Sequence, residues 1–172
     1  MKKAEEMLKV GDWIVHSYHG IGQVQGYDTK TLGEEKRMYF IVKTPALEYW
    51  LPVTECRSEH LRKVSSSAMV NEAVRVLSST PQEMDSDFRV RNKHIHDEQE
   101  KGSLLAKATL IRDLYTRKKI KGFSENENMV YEKLVKQFIN EWTVISKIKP
   151  STAQSKINQA LKESFEKYQA QG

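Results

Sequence analysis

The apolar residues of this chain change their spacing once, just after Lys63. Before that point they come in short β-prone runs. After it they recur every three or four residues, the period of a helix with one buried face. A block of strands followed by a block of helices, with no alternation between them, predicts an α+β chain in two parts.

In the first block, Leu8 to Tyr27 reads LKVGDWIVHSYHGIGQVQGY. Val10, Trp13, Ile14 and Val15 favour a strand. Gly11-Asp12 introduces it, His19-Gly20-Ile21-Gly22 is expected to break it, and Gln23-Val24 begins the next. Two glycines one residue apart suit a tight bend or a close backbone approach. Leu32-Gly33-Glu34-Glu35 is a polar turn, and Met38 to Val42 is a continuous strand former. Glu48 to Val53 is another, with Pro52 confining it to an edge or a strand end. Strands this short, packed into residues 1–64, predict a small barrel or half-open sheet.

In the second block, Ser65-Ser66-Ser67 forms a linker that can cap a helix, and Val70, Ala73, Val74 and Leu77 follow at helical spacing. Pro81 stops this helix. Asp85-Ser86-Asp87 caps a second, running from Phe88 to Lys101. Leu104, Ala108, Ile111 and Tyr115 stripe a third, which Gly122 ends. Ser124 and Glu127 form a capping box for a fourth, lined by Tyr131, Leu134, Val135, Phe138, Trp142 and Ile145. Pro150 opens a fifth, with Ile157, Ala160, Leu161, Phe165 and Tyr168 inward. Residues 65–172 therefore read as an all-α five-helix domain.

Most catalytic chemistries have no seat in these residues. His16 and His19 are three apart in a predicted strand, and His94 and His96 two apart in a predicted helix, so each pair is expected to diverge. No metal site is expected. Gly20, Gly22 and Gly26 give a GxGxxxG string that leads into a strand, so it offers no helix N-terminus to a pyrophosphate. No nucleophile elbow or paired-histidine zinc motif occurs. We expect no enzyme and no cofactor. Cys56 is the sole cysteine, which excludes an internal disulfide and fits a reducing compartment; it is read as a turn or buried thiol. MKKAEEMLKVGD lacks the apolar run of a signal peptide, and no stretch approaches a membrane span, so a cytoplasmic protein is expected.

Charge is distributed unevenly. Of a net +5, residues 1–64 hold 10 Lys+Arg against 9 Asp+Glu, and residues 65–172 hold 18 against 14. The run Phe88-Arg89-Val90-Arg91-Asn92-Lys93-His94 places an aromatic ring at a helix start before three cations. Cations can meet phosphates, and an apolar side chain beside them can press into a minor groove. The alternative is that Phe88 packs inward and the cations are merely solvated. Arg117-Lys118-Lys119-Ile120-Lys121 is a second basic cluster, but cations at a helix C-terminus also complement the helix dipole.

Several of these segments together resemble the CarD family of bacterial transcription regulators. Leu8-Lys9-Val10-Gly11-Asp12, Ile14-Val15 and His19-Gly20-Ile21-Gly22-Gln23-Val24 are similar to its opening. Leu51-Pro52-Val53 and Leu61-Arg62 are similar to a later segment, as are Leu110-Ile111-Arg112-Asp113-Leu114-Tyr115 and Gly122 to Glu127 in the helical half. His16-Ser17 stands where the family has Tyr-Pro, and His60 where it has glycine.

The resemblance implies a Tudor-like or SH3-like β domain over residues 1–64 that binds the RNA polymerase β subunit. It implies a helical domain over 65–172 that contacts promoter DNA at the upstream edge of the bubble and stabilises the open complex. The family's polymerase-facing positions map to Lys30 and Trp50, and Thr31, Ile41 and Pro52 are expected to join them in that contact. The family's tryptophan wedge maps to Phe88, followed by Arg89, Arg91 and Lys93 as DNA-facing cations. DNA contact is expected to be weak and largely independent of sequence. A monomer is expected, though an exposed strand edge permits strand exchange. The competing reading is an adaptor: a β module on a helical scaffold that touches no DNA.

Overall fold

The computed structural model describes residues 8–172. The lysines and acids of the leading segment fall largely outside the described residues. The chain divides into two compact units between Val64 and Ser65.

The first unit is one five-stranded antiparallel sheet of β1 (Trp13–His16), β2 (Gly20–Leu32), β3 (Glu35–Lys43), β4 (Glu48–Pro52) and β5 (Leu61–Lys63). The spatial order is β4-β3-β2-β1-β5, so β4 and β5 are the edges. Pro52, which lacks an N–H, ends an edge strand, as its chemistry requires. A 3-10 turn, Val53–Glu55, leads on from it. β2 and β3 form a long hairpin closed by the two-residue turn Gly33-Glu34. Ile14, Val24, Phe40, Val42 and Leu51 build the core beneath the sheet, with Leu8, Tyr49, Val53, Cys56 and Leu61 packed around it.

The glycine pair serves both purposes that its spacing suggests, but not as a strand break. β2 begins at Gly20, so Ile21 and Gly22 lie within it. Gly20 supplies the left-handed backbone (φ 75°) that ends the turn. At Gly22 a Cβ would stand 2.7 Å from Val42 Cγ1 and 3.2 Å from the Lys43 carbonyl, so only glycine lets β2 approach so closely.

The expectation that His16 and His19 diverge is corrected. The chain reverses between them, and their ring centroids lie 4.5 Å apart. The strand-alternation rule fails here because His19 sits in the turn and not in the strand. His16 Nδ1 accepts the Tyr18 N–H at 3.1 Å. Among the described residues no group of three or more His, Cys, Asp or Glu is arranged to hold a metal ion. Cys56 is half-buried, and burial, with the Glu55 charge, pushes its thiol above its usual range. That is the opposite of what activates a nucleophile.

The second unit holds α1 (Ser67–Ser78), α2 (Phe88–Lys101), α3 (Leu104–Ile120), α4 (Glu125–Ser146) and α5 (Pro150–Ala170). Their starts are chemical. The Ser66, Asp87, Ser103 and Ser124 side chains accept N–H groups of the first turn, and Pro150 occupies the opening position of α5. The Ser124–Glu127 capping box is complete.

α3 is the central helix, buried on nearly every side, and includes Lys107, Arg112, Asp113 and Thr116 among its buried residues. The core joins Val70, Leu77, Leu110, Ile111, Leu114, Leu134, Phe138, Ile157 and Leu161, with Trp142 packed edge-on against Phe138. Among the described residues, no helix is long and apolar enough to cross a membrane.

Candidate functional site

On the sheet, alternation decides which residues share a face. Trp50 is paired with Ile41, and Ile41 with Gly26, so the three form one cross-strand row. Pro52 opposes Tyr39 in the next row of the same face, and Lys30 opposes Arg37 beyond it. Gly26, directly opposite Ile41, has no side chain to place against it. Trp50 is 42% exposed, and the Lys30 ammonium sits 3.7 Å from its ring centroid. A cation over an indole at this distance orients both groups and keeps them at the surface. Lys30, Ile41, Trp50 and Pro52 thus gather on one face. Thr31 is the next strand residue after Lys30 and opposes Lys36 on the other face. Thr31 is exposed there, apart from the other four.

β4 hydrogen-bonds to β3 alone, so its outer backbone groups line an edge. Trp50 and Pro52 therefore mark a strand that combines an unpaired edge with an aromatic flag, a combination suited to strand addition by an extended partner segment.

On the helical unit, α2 presents two different faces. Phe88 is 53% exposed, and Val90 beside it is 51% exposed. Arg89 and Lys93 also face solvent. Lys93 donates to Asp97 one turn on, at 2.7 Å, and that carboxylate holds the ammonium's pKa above its ordinary value. Only Arg91 and Ile95 of this helix are buried.

Arg91 corrects the expectation of three DNA-facing cations. It is 5% exposed, and its Nε donates to Glu127 Oε1 at 2.5 Å. Its Nη1 donates to the backbone carbonyls of Asp85 and Ser86 at 2.9 and 3.0 Å. Arg91 stands about 200° around the helix from Arg89, so the two point to nearly opposite sides.

Glu127 is the node of this buried cluster. Besides Arg91, it accepts Arg117 Nε at 2.9 Å on the same oxygen and the Ser124 N–H at 2.9 Å on the other. Burial alone would push this carboxyl up. The Ser124 N–H and the two guanidinium groups outweigh it and hold the pKa down to about 2. Sequence reading identified Glu127 only as a cap and Arg117 only as part of a basic cluster. A glutamate paired with a buried and a half-buried arginine leaves no local signature, because its partners lie 36 and 10 residues away.

The second basic cluster is largely occupied by its own surroundings. Lys118 lies 5.4 Å from the Phe123 ring centroid, and Lys119 lies 5.4 Å from that of Tyr115.

Comparison with known proteins agrees with this division. The domain described as "CarD-like/TRCF RID domain" matches residues 8–65, and "CarD, C-terminal domain" matches residues 72–158. A curated relative from Bacillus subtilis (strain 168), named "Putative transcription factor YdeB", is 24% identical over 144 residues, covering 83% of this chain and 94% of the relative.

Proposed function

The chain belongs to the CarD family, a family of transcription regulators, and on that premise we propose that it binds RNA polymerase through its sheet unit and promoter DNA through its helical unit. On this reading a strand of the β subunit extends the sheet at β4, and Trp50 with Lys30 fixes its register. That tether raises the local concentration of the helical unit at the promoter, so a weak DNA contact suffices. Phe88 then presses against the upstream edge of the melted bubble. Phenylalanine has no N–H to bond a base edge, so its contribution is stacking and steric support alone. The factor shifts closed promoter toward open by its differential affinity for the two states and by no more.

The observation that carries this reading is the exposure of Phe88. A large aromatic side chain standing in solvent at a helix start, beside exposed Arg89, adds nothing to the core and is available to a partner. The test is a salt titration of binding to forked promoter DNA, alongside capture on the isolated lobe of the β subunit. Affinity for DNA that falls steeply with salt, together with retention on the lobe, supports the proposal. Absence of both contradicts it.

A second reading has an observation in its favour. With Arg91 buried and Lys93 paired to Asp97, α2 presents few cations to a phosphate backbone. A protein surface would meet Phe88 and Val90 as readily as DNA would. This adaptor reading predicts retention on the lobe with no binding of forked DNA even at low salt.

A further inference from the structure

α2 buries a single apolar side chain, Ile95, a full turn beyond the residues that its outward face presents. Apolar contact therefore does little to fix its first turn. Polar contacts converge there instead. Asp87 Oδ1 accepts the N–H groups of Arg89 and Val90 at 2.8 and 3.1 Å. Arg91 reaches back to the two carbonyls just before this cap, those of Asp85 and Ser86. The same guanidinium carbon lies 5.8 Å from the Phe88 ring centroid. Arg91 is in turn fixed by Glu127, and Glu127 by Arg117 at the end of α3 and by Ser124 at the start of α4. One buried carboxylate thus links three helices to the short segment that aims Phe88.

We propose that Arg91, Glu127 and Arg117 are positioning residues, which hold Asp85 to Phe88 in a fixed pose before a partner arrives. This rests on the reading that Phe88 meets promoter DNA. A ring already in place loses little conformational freedom on contact, so a single stacking interaction goes further than it would from a mobile loop. Arginine suits this role and lysine does not. A guanidinium donates from Nε to the carboxylate and from Nη1 to two carbonyls in one plane, whereas an ammonium cannot span that set.

Arg91→Met tests this. Methionine keeps much of the volume, and Glu127 stays paired with Arg117. Hydrogen exchange at the Arg89 and Val90 amides is expected to speed up tenfold or more, while exchange in the middle of α3 stays within about threefold. Open-complex lifetime is expected to fall as far as it does with Phe88→Ala, and the double variant is expected to be no worse than either single one. Arg91→Lys should recover only a small part of the lifetime. Should Arg91→Met fail to fold, Arg117→Met loosens the same node from its more exposed side, and the same pattern is expected at reduced size.

Unchanged exchange at Arg89 and Val90 overturns the proposal. So does a lifetime that falls with Phe88→Ala but not with Arg91→Met, and so do losses that simply add in the double variant. If exchange rises while no variant, Phe88→Ala included, alters lifetime, the DNA reading fails and the positioning of the turn stands.

Discussion

The sheet unit closes on a core cluster of five buried apolar residues, whereas the helical unit closes on sixteen and adds a buried set of charges. In the sheet, β4 and β5 have a strand partner on one side only, and Trp50 is exposed. In the helical unit the start of α2 exposes Phe88 and Val90, and that helix buries only Arg91 and Ile95. An exposed surface contributes little to stability, so the rest of each unit must supply it. In the sheet, backbone pairing and a close β2–β3 approach do so. In the helices, a central α3 and the Glu127 node do so.

The sharpest way to break this comparison is Glu127→Ala. It leaves the buried Arg91 and the half-buried Arg117 without their carboxylate, so the helical unit should lose about 3 kcal/mol. The sheet unit should unfold as before. Denaturant unfolding followed by probes in each unit checks both halves; equal loss in the two would remove the distinction.

Acid should act along the same line. Because the folded pKa of Glu127 is depressed to about 2, its contribution is complete above the unfolded value near pH 4.3 and is lost as pH falls toward 2. This contribution is on the order of 3 kcal/mol. Urea midpoints of the helical unit from pH 7 to pH 3 should therefore decline less steeply in Glu127→Gln than in the natural chain.

Gly22→Ala probes the sheet in return. Its new methyl would meet Val42 and the Lys43 carbonyl, and about 2 kcal/mol should be lost from that unit alone. A Gly22→Ala protein of natural stability would show that the β2–β3 approach is slack. Trp50→Ala should weaken capture by the β-subunit lobe about tenfold, or roughly 1.4 kcal/mol, without altering unfolding. Lys30→Glu should act in the same direction.

Much of this architecture was legible in the sequence, for local reasons. Ser124 and Glu127 announce a helix start because a capping box is complete within four residues, and the Asp87 cap places the start of α2 equally well. Pro52 marks its strand as an edge because proline lacks a donor. What escaped is long-range. β5, only Leu61–Lys63, is too short to leave a pattern of its own and is a strand because β1 pairs with it. Arg91 reads as one more surface cation until Glu127 is folded against it. Phe88 stands out in the sequence as an aromatic before three cations, Lys30 only through the resemblance, and the structure adds that both are exposed.

The central claim is that the helical unit acts on promoter DNA through Phe88 while the sheet unit grips polymerase. It is tested most directly by the lifetime of open promoter complexes formed with the full chain and with Phe88→Ala, each at saturating concentration. The account predicts a lifetime several-fold shorter for Phe88→Ala, about 1 kcal/mol, with polymerase affinity and unfolding unchanged. An undiminished lifetime at equal occupancy would contradict it.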